Sequence, residues 1–143
     1  MMISPRRTLA ILLMALATLD ANANELAVIV SARSTTPMLA RDQVAAIFLG
    51  QTPTLPDGAL VTAIDQPLGN GTRDAFYAQV TSKSPALLKA YWSKLLFTGR
   101  GQPPREVAGN AAIKKLVADT PGMIGYIDSS ALDASVRAVL LVH

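Results

Sequence analysis

Cysteine is absent from the 143 residues, histidine occurs once, as His143, and aromatic side chains make up 5% of the chain. The first absence excludes disulfides, thiolate nucleophiles and cysteine-based metal sites, so an apolar core alone must hold the fold. One histidine at the last position supplies neither a triad base nor a metal cluster. Charged residues are also sparse, at 16%. The carboxylates stand singly, without the spacing needed for paired acid–base work or metal ligation. No catalytic residue, metal site or cofactor is therefore expected, and the chain reads as a non-enzyme. The net charge of +3 is scattered rather than gathered into a stripe, which argues against a nucleic-acid partner.

Long apolar runs are missing too, apart from one near the start. Arg6 and Arg7 precede Thr8 to Leu19 (TLAILLMALATL), and Ala21-Asn22-Ala23 follows with small residues at the positions a signal peptidase reads. The run is 12 residues long, short of the roughly 20 needed to span a bilayer. Residues 1–23 are expected to be a cleaved signal peptide and residues 24–143 a single exported, periplasmic domain. Without the leader, 11 Lys/Arg face 9 Asp/Glu. About 120 residues accommodate one domain with a real core and not two.

The remainder alternates between strand-like and helix-like segments. Leu26 to Val30 (LAVIV) suits a strand buried on both faces. Ala40, Val44, Ile47 and Phe48 recur at helical spacing, with Asp42 in the first turn and Gly50 as the stop. A turn-rich segment, Gln51 to Gly58, leads to a strand expected over Ala59 to Ile64, then to a helix carrying Phe76 and Val80. Ser84-Pro85 is an N-cap followed by proline at the first helical position, and starts a helix whose stripe is Leu88, Trp92, Leu95 and Leu96. Trp92, Met38 and Met123 are assigned to the core. Arg100 to Arg105 reads as a surface loop. Asn110 is expected to cap a helix with Ile113, Leu116 and Val117 inward, before strands at Met123 to Ile127 and Val136 to Val142. The order β-α-β-α-α-α-β-β predicts an α/β fold with an open, mixed or mostly parallel sheet covered by helices on both faces.

One segment has ligand-binding character. Gly69-Asn70-Gly71-Thr72-Arg73 stands at a strand-to-helix junction. Glycines let a ligand approach the backbone, and the free N–H groups of a first helical turn favour an anion. Asn70 and Thr72 would add hydrogen bonds and Arg73 charge. A purely structural account remains open, in which Asn70 or Thr72 caps the helix and the glycines form a tight turn.

Ala45 to Gly50 (AAIFLG), Gly69 to Phe76 (GNGTRDAF), Trp92 with Phe97-Thr98-Gly99, and Thr120 to Ile127 (TPGMIGYI) occur in this order. Together they resemble the second lobe of the phosphate-binding proteins of ABC uptake systems, of the type 2 periplasmic binding protein fold, especially its short single-lobe members. The resemblance implies a solute-binding-like protein taking phosphate or a similar oxyanion at Gly69 to Arg73. The implied setting is ABC-type uptake or sensing, with transporter membrane subunits, a sensor, or a second lobe or copy as partners. Asn70-Gly71-Thr72 takes the place of the family's Ser-Gly-Thr, and Gln66 stands where the family has an arginine. Asp74 puts a carboxylate in the same first turn, where it would repel phosphate. One lobe is expected to offer only an open half-site. The alternative expectation is a periplasmic interaction or sensor-accessory module that keeps the fold without binding a ligand.

Overall fold

The computed structural model describes residues 25–143; the expected leader, residues 1–23, lies outside the described residues. Its strands are β1 (Leu26–Ser31), β2 (Thr62–Asp65), β3 (Arg105–Glu106), β4 (Met123–Asp128) and β5 (Val136–Val142). Its α-helices are α1 (Arg41–Phe48), α2 (Gly71–Thr81), α3 (Pro85–Phe97) and α4 (Asn110–Asp119). The strands form one sheet in the order β3-β2-β4-β1-β5. β2 runs parallel to β3 and to β4, whereas β1 is antiparallel to both β4 and β5. Four strands thus share one direction and β1 alone opposes them. The expected mixed, mostly parallel sheet is present.

The alternation within β1 shows why the sheet needs cover on both sides. Leu26, Val28 and Val30 pack with residues of α1, α2 and α3, while Ala27 and Ile29 pack with Ile113 and Val117 of α4. On the first face, Phe76 of α2 stacks on Tyr126 of β4 with ring centroids 3.8 Å apart, and Phe48 of α1 meets Phe76 edge-on at 4.8 Å. Such aromatic pairs contribute about 0.5–1.5 kcal/mol beyond their burial. On the second face, Gly125 lets α4 approach closely. A Cβ there would lie 2.9 Å from Ile113 Cγ2 and 3.3 Å from Val117 Cγ2.

Local details depart from the sequence reading. The second strand begins at Thr62 rather than Ala59 and runs to Asp65. Arg105, expected in a loop, belongs to the short edge strand β3, which pairs with Ile64 and Asp65. Gly109, with a φ of 88°, is the N-cap of α4, and Asn110 lies inside the first turn. Met38 is exposed, not core, and so is Leu96. Trp92 and Leu88 are buried as expected. His143 is held by Glu25, with Nδ1 3.1 Å from Oε2.

Candidate functional site

The parallel strands β2, β3 and β4 all end at one edge of the sheet, and the chain leaves that edge into α2 after β2 and into α4 after β3. Two helix N-termini therefore meet at the carboxyl ends of the strands, the region where open α/β sheets bind ligands. Gly69, with a φ of +80°, turns the chain into α2. Asn70 is the N-cap, and its Oδ1 accepts from the Arg73 backbone N–H at 3.2 Å. The Asp74 N–H is bonded to the Asn70 carbonyl. That leaves the N–H groups of Gly71 and Thr72, at the first two helical positions, with no acceptor among the described residues. Gly71 is exposed, and a Cβ on it would meet nothing within 4 Å.

Asp128, the last residue of β4, links the two N-termini. Its Oδ1 accepts from Thr72 Oγ1 at 3.4 Å and its Oδ2 from Asn110 Nδ2 at 2.7 Å. Asn110 Oδ1 in turn accepts from Gln66 Nε2 at 3.1 Å and from the Asp128 N–H at 3.3 Å. Gln66 is buried, and its Nε2 also donates to the Tyr126 carbonyl at 3.2 Å. A carboxylate of the protein itself thus lies beside the α2 N-terminus.

Arg73, read from the sequence as charge beside a ligand, turns inward. It is 5% exposed. Its Nη1 donates to the Gln66 carbonyl at 3.1 Å and to Glu106 Oε1 at 3.0 Å, and its Nη2 lies 3.9 Å from Asp65 Oδ2. Asp65, also buried, accepts from the hydroxyls of Tyr77 and Tyr126 and from the Gln66 N–H at 2.8 Å. Burial raises the Asp65 carboxyl above its usual range, against the lowering effect of the two tyrosine hydroxyls and the Arg73 charge. Burial, and then the charge of Asp65, push both tyrosine hydroxyls above the usual phenol range, so they remain donors. The network fixes the end of β2 against α2.

Sequence reasoning placed Gly69 to Arg73 at the junction where the structure has them. It missed Asp65, Glu106, Asn110 and Asp128, whose partners are distant in sequence. Among the described residues no group of three histidine or acidic side chains is placed to hold a metal ion.

No protein-family model and no curated protein sequence matches the chain. Solved structures do. A protein from Clostridium perfringens, described as a phosphate ABC transporter substrate-binding protein and solved with bound phosphate, is 28% identical with a TM-score of 0.61. The match covers 79% of this chain and 43% of that one. An ABC-type phosphate transport receptor from Vibrio cholerae matches with a TM-score of 0.63 at 21% identity, over 79% of this chain and 44% of its own. PstS from Borrelia burgdorferi matches at 0.52 and 16% identity, over 78% of this chain and 45% of its own. This chain therefore has the PstS-like fold of phosphate ABC transporter substrate-binding proteins, one lobe of a type 2 periplasmic binding fold, and spans less than half the length of these relatives.

Proposed function

We infer that residues 24–143 form an exported, periplasmic solute-binding domain that takes phosphate or a similar oxyanion at Gly69 to Arg73, in connection with ABC-type uptake or sensing. The observation that carries this reading is the pair of N–H groups, Gly71 and Thr72, that have no acceptor among the described residues, at an exposed helix N-terminus on the carboxyl edge of the sheet. The fold shared with a phosphate-bound relative supports the choice of ligand. Backbone N–H groups and the Thr72 hydroxyl make the direct contacts. Arg73 lies beneath these groups and makes no direct contact, being paired with Glu106 at 3.0 Å and lying 3.9 Å from Asp65. Phosphate titration of the amide resonances of α2 tests the assignment.

A second reading has its own support. Asp128 already offers an anion to Thr72 and Asn110, and Asp74 adds another carboxylate to the first turn. Two negative charges beside the N-terminus favour a module that keeps the fold for interaction and binds no oxyanion.

A further inference from the structure

Helix α3 carries apolar residues on its outer side as well as its inner one, unlike a helix that only covers a core. Leu88 and Trp92 are buried inward. Leu87, Ala90, Lys94 and Phe97 follow one another at intervals of three, four and three residues, so they form one line along the helix, turned away from Trp92. All four are exposed, Leu87 to 57% and Phe97 to 93%. Single exposed leucines are ordinary; an apolar line set among unpaired bases is not.

The charges beside this line define what covers it. From Lys83 to Arg105 the chain carries five basic residues and no acidic one. Lys89, Lys94 and Arg100 are exposed, and none of them makes an ion pair among the described residues. Asp74 and Glu106 line a cavity with Leu88 and Trp92, and no residue of the outer line borders that cavity. A second copy of the chain, docked on this face by two-fold symmetry, would set bases against bases. A protein partner would have to bury Lys94, which stands within the apolar line, and supply a carboxylate opposite it. An anionic bilayer needs no such fixed match. Apolar tips enter the headgroup boundary, while the lysine stem extends and carries its ammonium to the lipid phosphates.

We propose that the outer face of α3 docks the protein on an anionic bilayer surface. Leu87 and Phe97 enter the headgroup boundary, and Lys94 and Arg100 meet lipid phosphates. Among the described residues no helix is long and apolar enough to cross a membrane, and the contact proposed is one of the interface, not a span. This surface is independent of the oxyanion reading, since it uses no N–H group of α2.

The test sediments protein recovered from the soluble fraction of cells expressing the full chain with vesicles of phosphatidylglycerol or of phosphatidylcholine. Binding to phosphatidylglycerol is expected to be about tenfold stronger or more, and to fall in about 0.5 M salt. Phe97→Ser should weaken it several-fold. Lys94→Glu with Arg100→Glu should abolish the preference for the anionic lipid, and Lys94→Arg with Arg100→Lys should keep it. These side chains are exposed, so the variants keep the fold, as an unchanged urea midpoint would show. The proposal is overturned if the two lipids bind the protein equally, or if neither binds it at low salt. It is equally overturned if Phe97→Ser and the charge reversal leave binding unchanged, or if the protein sediments by self-association without lipid.

Discussion

Tyr77 donates its hydroxyl hydrogen to Asp65 Oδ2 at 2.5 Å, binding the last residue of β2 to the buried face of α2. Tyr126 of β4 donates to the other carboxylate oxygen, so one carboxyl joins two strands and a helix beneath the candidate oxyanion site.

That carboxyl gives the fold a pH dependence. Burial holds Asp65 above its ordinary value of 3.8, so the folded chain binds this proton more tightly than the unfolded chain. The contribution of Asp65 to stability is full below that ordinary value and is lost as pH rises through the raised folded value. The stability difference between wild type and Asp65→Asn should therefore fall as pH rises above the ordinary carboxylate value of 3.8, as read by urea titrations. A difference that grows over this range means the hydrogen bonds and Arg73 outweigh burial.

Arg73→Ala removes the one cation that faces buried Asp65 among the described residues and takes from the Gln66 carbonyl the Arg73 Nη1 donor. The expected loss is about 3–5 kcal/mol, as for one partner of a buried pair. Glu106 contributes little to this, being half-exposed. In a double-mutant cycle, Asp65→Asn should relieve part of the Arg73→Ala loss. Strict additivity would show that the two side chains are not coupled.

Trp92→Ala should cost about 3–5 kcal/mol through lost burial and a cavity, against a total stability of about 5–15 kcal/mol for such a domain. Among the described residues Trp92 Nε1 is buried with no hydrogen-bond partner, so Trp92→Phe forfeits no hydrogen bond there and should cost clearly less. Equal losses for the two variants in denaturant titrations would contradict this.

The order Arg6-Arg7, apolar run, Ala21-Asn22-Ala23 predicts an N-terminus at Asn24 in a periplasmic fraction. Mass spectrometry that finds the intact Met1 form held in the membrane contradicts this.

Local signals carried most of the fold. LAVIV marked β1, and Ser84-Pro85 marked the start of α3, where Ser84 Oγ accepts from the Leu87 N–H. β3 escaped because two residues have no periodicity, and it is a strand only through its pairing with β2. The glycine junction was legible because positive φ and helix initiation are local. The polar network was not, because Asp65 lies 61 residues from Tyr126 and Arg73 lies 33 from Glu106. The same gap misdirected the reading of Arg73. Its position beside the glycines is local, but its inward orientation is set by long-range partners.

Phosphate titration of the labelled protein, following every backbone amide, tests the central claim most directly. The amides of Gly71 and Thr72 should shift more than those elsewhere. Gly71→Val, at a position with open space around it, should remove the response by blocking the ligand. Thr72→Ala should weaken it by about 0.5–1.5 kcal/mol, the range for one hydrogen bond. Asp74→Asn and Asp128→Asn should strengthen it, since each removes a carboxylate from beside the anion. If millimolar phosphate and sulfate leave the Gly71 and Thr72 amides unmoved in wild type and in both aspartate variants, the oxyanion site is contradicted and the interaction-module reading stands.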